Sequence, residues 1–280
     1  MSAPLAQTSP PSTVLVTGAA KRLGRAIALK LAANGWRVAV HYRDSVEEAR
    51  QTVADCSRLT PGAQAFRANL GNETAVRNLL PAVIEAFGQV DAVVNCASTF
   101  EHDTAATFSF AAMEKHMRSN AGAAILISQA LHTHMAERCK AQPDASAVVV
   151  NLLDQKLWNQ TPDFVSYTLS KAALDAANSM LALALSPLVR VVGVAPVMGQ
   201  HQPLLMGEKL EEHRAALAAR LQATDLDTTD AVLLALLDAS IHGTTLLVDE
   251  ELPKDKPQPP VPELEPLAPF VPTARRHGRR

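Results

Sequence analysis

The sequence predicts a doubly wound α/β fold, a parallel sheet with helices on both faces, in one domain over residues 12–252. Two observations predict it. Short Val-rich runs alternate with segments whose apolar residues recur at helical spacing, and the first run ends in a glycine-containing turn that opens a helix. Ser12–Gly18 reads as the first strand and its turn, and Leu23, Ile27 and Leu31 form one stripe of a helix that Asn34-Gly35 stops. Trp36–His41 is the second strand. A helix over 46–58, a short strand at 63–67, a helix over 73–88 and a strand at 91–96 continue the alternation. A long helix then covers 110–139, followed by a strand at 145–153, a helix over 164–186 and a strand at 189–194. Residues 203–239 read as two more helices and 243–250 as a last strand.

Composition bounds the function. Hydrophobic residues at 48% suffice for a sizeable core, and aromatics at 4% leave Ala, Val and Leu to build it. A net charge of −2 offers no basic field for nucleic acid or an anionic membrane. Cys56, Cys96 and Cys139 show neither metal-ligand spacing nor a disulfide framework, which fits a reducing compartment and no metal. The start, MSAPLAQTSPPS, lacks a cationic lead and an apolar signal core, and no apolar run reaches the ~18 residues of a membrane span. A cytoplasmic protein acting on a small molecule is expected. Residues 1–11 read as a loose arm. From Pro253 to Pro272 fall eight of the eighteen prolines, so 253–280 reads as an extended tail; its basic end, ARRHGRR, is either solvated or a contact with a neighbouring subunit.

The first strand–turn–helix carries Thr17-Gly18-Ala19-Ala20-Lys21-Arg22-Leu23-Gly24. Small residues there let the backbone approach a pyrophosphate, Gly18 making the tight turn and Gly24 the close helix–sheet contact. Arg22 stands where a third glycine is common and brings charge to the phosphates instead. The end of the second strand decides the cofactor: a carboxylate there holds a ribose 2′-OH, whereas cations and hydroxyls hold a 2′-phosphate. His41, Arg43 and Ser45 suit the phosphate and so NADP(H), while Asp44 argues the other way; a polar loop without ligand is the competing reading.

Tyr167 and Lys171 form Y-x-x-x-K at the start of a helix and therefore share a face. An ammonium close to a phenol favours phenolate and lowers its pKa, so such a tyrosine passes a proton while a hydride moves.

With these motifs in order, the sequence resembles the short-chain dehydrogenase/reductase superfamily, whose fold is of Rossmann type. TGAAKRLG, HYRDS and NCASTF together resemble its pteridine reductase and dihydromonapterin reductase branch. The resemblance covers roughly residues 12–250. It implies that Gly18, Arg22, Leu23 and Gly24 form the cofactor turn, with Arg22 also facing substrate, and that His41, Arg43 and Ser45 take the 2′-phosphate. Asn69 and Leu70 would stand against the adenine, Asn95, Ala97 and Ser98 along the cofactor, and Pro196 and Lys171 beside it. Phe100 matches the aromatic that stacks on the pterin, with a loop-buried Phe as the alternative. Asn120 matches an asparagine that supports a proton relay, or is simply solvated.

Asp154 is the most informative position. Most superfamily members place a serine thirteen residues before the tyrosine, where a hydroxyl stabilises an oxyanion. A carboxylate suits a different task, since reduction of C=N needs a proton on nitrogen, and Asp154 sharing a proton with Tyr167 would supply it. The expected function is NADPH-dependent reduction of a pterin-like substrate. The alternatives are a carbonyl or alcohol reductase, or an NADP(H) sensor without turnover. Trp158 either lines the pocket or packs beneath its loop, and Met198, Leu204, Leu205 and Met206 read as core or lid. The resemblance further implies a homo-oligomer, a dimer or a tetramer.

Overall fold

A computed structural model describes residues 12–158, 160–196 and 228–248. The expected arm over 1–11, the helix within 203–227, Met198, Leu204, Leu205, Met206, the VDEE end of the last strand and the tail over 253–280 lie outside the described residues, wholly or in part.

The strands are β1 (Thr13–Val16), β2 (Arg37–Tyr42), β3 (Gln64–Arg67), β4 (Ala92–Asn95), β5 (Ala147–Leu152), β6 (Val189–Pro196) and β7 (Thr245–Val248). They pair in parallel in the order β3-β2-β1-β4-β5-β6-β7. The helices are α1 (Arg22–Ala33), α2 (Val46–Leu59), α3 (Glu73–Phe87), α4 (Phe110–His116), α5 (Ala123–Arg138), α6 (Val165–Leu185) and α7 (Thr228–Leu237). Strand order reverses between β1 and β4, which opens a crevice at their carboxyl ends.

Alternation along each strand divides the core between two faces. Val14, Val16, Val94, Val148 and Val150 pack with α1 and α7 on one side, whereas Leu15, Val93 and Val149 pack with α3 and α5 on the other. Each buried Val or Leu contributes about 1.5–3 kcal/mol, so the Val-rich strands stabilise the sheet from both faces. The sequence stop at Asn34-Gly35 is realised: Asn34 ends α1 and Gly35 takes φ 83°. The expected continuous helix over 110–139 is instead broken by a π-helical turn, Met117–Gly122, between α4 and α5. No helix among the described residues is long and apolar enough to cross a membrane.

The far edge of the sheet is held by Arg190 at the start of β6. Its Nη1 donates to the carbonyls of Ala235, Asp238 and Ile241 at 3.2, 2.9 and 2.7 Å, and its Nη2 to Leu236 at 3.2 Å. A guanidinium at a helix C-terminus satisfies carbonyls that have no intrahelical partner. R190A is expected to lower unfolding free energy by about 2–3 kcal/mol, because it removes charge-assisted bonds and leaves those carbonyls unpaired. Urea denaturation with an unchanged midpoint would sink this account.

Candidate active site

The crevice is lined first by the turn after β1. Gly18 has φ +68°, a conformation that costs a residue with a Cβ, and a Cβ there would lie 2.9 Å from Ala97 Cα. At Gly24 a Cβ would stand 2.3 Å from the Gly18 carbonyl oxygen, so α1 begins in direct contact with the turn. Thr17 joins this turn to the loop after β4: its Oγ1 accepts from the amides of Cys96 and Ala97, both at 3.0 Å. Arg22 opens α1 with φ 50° and an exposed side chain, while Leu23 packs against the core.

His41 is reassigned by the structure. It is only 2% exposed, and its Nδ1 accepts from Gly18 N–H at 3.0 Å, so its proton sits on Nε2 and is shared with the Ala68 carbonyl at 3.1 Å. Burial lowers its pKa to about 4 despite the Ala68 bond. A neutral ring with both nitrogens engaged holds the ends of β1, β2 and β3 together and has no charge for a phosphate. Because the folded value is depressed, His41 withdraws stability as pH falls from about 6.5 to about 4.

Arg43 and Ser45 remain at the mouth. Arg43 Nε donates to Asp44 Oδ2 at 2.6 Å, and both side chains are more than half exposed. A cleft of about 450 Å³ opens beyond β2, β3 and β4, lined among others by Arg43, Asn69, Gly71, Thr99 and Arg118. Asn69 Oδ1 accepts from Gly71 N–H at 3.0 Å and so shapes this rim, whereas Leu70 is buried in the core beneath it. Asn95 also turns inward: its Nδ2 donates to Asn151 Oδ1 at 2.8 Å, and Asn151 Nδ2 to Asn178 Oδ1 at 3.0 Å. This buried amide chain joins β4 through β5 to α6, so the Asn95 side chain does not face the crevice. Ala97 lies against Gly18, Ser98 is exposed with its Oγ on the Thr99 carbonyl, and Pro196 is buried at the end of β6.

The chemical residues converge. Tyr167 Oη donates to Asp154 Oδ2 at 2.6 Å, and Asp154 Oδ1 accepts from Lys156 N–H at 2.8 Å, which fixes the carboxylate. Lys171 Nζ donates to the Leu152 carbonyl at 2.6 Å and lies 5.9 Å from the Tyr167 ring. The expected lowering of the phenol pKa is corrected here. Burial, then the adjacent Asp154 carboxylate, raise Tyr167 well above an ordinary tyrosine, and burial pulls Lys171 down to about 8. Tyr167 is therefore a retained proton donor rather than a ready phenolate.

Phe100 is 48% exposed, stacks on Phe164 at 4.3 Å and meets the Tyr167 ring edge-on at 4.6 Å. Trp158 packs with Leu157 against a cluster of Ala121, Leu153 and Leu174, beneath the loop rather than in the crevice. Asn120 is buried, not solvated, and its amide brackets Thr99: Oδ1 accepts from Thr99 N–H at 2.7 Å, and Nδ2 donates to Thr99 O and Ser170 Oγ, both at 2.9 Å. Sequence reasoning missed Thr17, Asp103, His116, Asn151 and Phe164. Only Asn151 carried a signal, as an amide inside a buried Val run that must find a polar partner. Among the described residues, no three His, Cys, Asp or Glu side chains converge on a metal position.

The short chain dehydrogenase family profile matches residues 12–212. FolM alternative dihydrofolate reductase 1 from Brucella suis, solved in complex with NADP, is 30% identical with a TM-score of 0.69, covering 85% of this chain and 93% of that one. The 3beta-hydroxysteroid dehydrogenase 1 of Eggerthella lenta is 28% identical over 246 residues, 85% of this chain and 92% of that protein. The 3-oxoacyl-[acyl-carrier-protein] reductase FabG of Staphylococcus aureus is 38% identical over 85 residues, 30% of this chain and 35% of that protein.

Proposed function

The chain belongs to the short chain dehydrogenase family, and on that premise we propose that it is an NADPH-dependent reductase of a pterin-like C=N bond, in a dihydropterin or dihydrofolate. The observation that carries the reading is the buried hydrogen bond of 2.6 Å between Tyr167 Oη and Asp154 Oδ2. A carboxylate next to the donor would oppose an oxyanion but suits a nitrogen that must gain a proton. The likeness to a dihydrofolate reductase solved with NADP supports it.

The residues present fit a dinucleotide. The cleft beyond β2, β3 and β4 lies where the adenosine end rests in this topology, and Arg43 stands at its rim for a 2′-phosphate. NADPH, when bound, supplies a hydride to the carbon of the C=N bond. Tyr167 and Asp154 share the proton that the nitrogen takes, and solvent restores it. Arg22 neutralises phosphate charge and orients the substrate, Phe100 stacks on its ring, and Lys171 holds the end of β5 beside Tyr167.

Steady-state NADPH oxidation with 7,8-dihydropterins and dihydrofolate tests the reading. Turnover of simple ketones alone would assign a carbonyl reductase instead, and tight NADPH binding with no turnover a sensor. Asp44 competes with phosphate for Arg43, so Asp44→Asn is expected to tighten NADPH binding about three- to tenfold. A fluorescence titration giving an unchanged or weaker Kd would show that the pair does not compete. Leu169, Met180 and Leu183 on α6 and Ile125 on α5 are exposed apolar groups suited to a second copy of the chain, which sedimentation equilibrium would reveal as a dimer or tetramer.

A further inference from the structure

We propose that Asp103 is a positioning residue: from the loop between β4 and α4 it caps α6 and thereby sets the Tyr167 hydroxyl against Asp154 and Phe100 against Tyr167. The inference rests on the proposed reading only for its choice of substrate.

Helix α6 begins with Phe164 at its N-cap, a side chain that cannot accept a hydrogen bond, and no local side chain caps it. The acceptor comes from sixty-three residues away. Asp103, 5% exposed, takes the Ser166 amide at 3.1 and 3.2 Å on its two carboxylate oxygens and the Ser166 hydroxyl on Oδ2, while its own carbonyl accepts from Phe164 N–H at 2.7 Å. A buried carboxylate is tolerable only with such donors, and the positive end of the helix dipole favours it further. The residue after Ser166 is Tyr167.

The same segment carries Phe100. Thr104 pairs with Asp163 as an antiparallel bridge, and Phe164, held at φ 57°, stacks on Phe100 and receives Lys156 Nζ 4.4 Å over its ring. On the other side His116 Nε2 accepts from Glu101 N–H at 3.2 Å, and Asn120 brackets Thr99. The loop is thus fixed to the start of α6 at one end and to the π-helical turn and α4 at the other. A Ser or Asp at 164 would cap the helix just as well without involving the loop. A cap supplied by the loop ties the aromatic platform and the proton donor to one another.

The test compares D103N, S166A and D103A in the full chain, following NADPH Kd, kcat and KM for a 7,8-dihydropterin, and secondary structure by circular dichroism. A second set in a Tyr42→Phe background leaves Tyr167 as the one tyrosine, so the pH at which tyrosinate absorbance begins reports its surroundings. NADPH Kd is expected to stay within about twofold, while kcat falls about tenfold in D103N and S166A and about a hundredfold in D103A, the scale of a small misplacement of reacting groups. The tyrosinate onset should move to lower pH in the same order. Folded D103A with wild-type kcat and onset would overturn the proposal, as would equal losses in NADPH affinity and kcat, which mark general loosening. If D103A does not fold, D103N and S166A decide. If the wild type turns over no dihydropterin, the functional reading fails and the tyrosinate onset alone judges Asp103.

Discussion

Tyr167→Phe is expected to lower kcat for dihydropterin reduction by about 10²–10⁴ and leave NADPH affinity nearly unchanged, because it removes the one proton held at the reaction centre. Asp154→Ala should cost about 10²–10³, since the hydroxyl loses the partner that aims it and shares its proton. Single-turnover NADPH oxidation checks both, and full activity in D154A would end the donor role of Asp154. The pH profile separates the two basic groups. Burial and Asp154 keep Tyr167 protonated well beyond neutrality, whereas Lys171 loses its charge as pH rises through about 8. An alkaline limb of kcat near pH 8 therefore belongs to Lys171, and K171R should remove it.

Gly24→Ala is expected to weaken NADPH binding by more than about a hundredfold, or 2.7 kcal/mol. The added methyl would meet the Gly18 carbonyl oxygen at 2.3 Å and its carbon at 2.8 Å, both backbone atoms that cannot swing aside. The turn must move, and overpacking adds about 1–3 kcal/mol of lost stability, visible as a lower Tm. Gly35→Ala is the control: nothing lies within 4 Å of its added methyl, and only the φ of +83° resists it. It should cost about 1–2 kcal/mol of stability and leave NADPH binding intact. Equal binding losses in the two variants would show that G24A acts by unfolding and not through the turn.

The sheet was legible because strands buried on both faces leave runs of Val that few other arrangements require, and the helices between them because Leu23, Ile27 and Leu31 keep one stripe. Tyr167 and Lys171 were legible because four residues on a helix return to the same face. His41 was not. Its residue type suggests a cation, and only the closure of three strand ends around it reveals a neutral ring bonded to Gly18 and Ala68. Asn95 misled in the same way, since its partner Asn151 lies on a strand that becomes a neighbour only when the sheet forms. Asp103 and Ser166 are a contact that no local pattern announces, and MRSNAG has nothing in its composition to mark a π-helical turn.

That turn sets the phase of a long helix. Met117–Gly122 carries wider hydrogen-bonded rings than the α-helical segments on either side, and so acts as a shim between them. Removing one residue from it, Ala121 for example, would restore regular periodicity and rotate α4 by about 100° relative to α5. His116 would leave the Glu101 amide and Asn120 the backbone of Thr99, taking the loop that bears Phe100 out of register. One residue gained or lost within this helix is therefore a change at the reaction centre, whereas one gained or lost in the largely exposed stretch from Lys140 to Ser146 is absorbed by the surface.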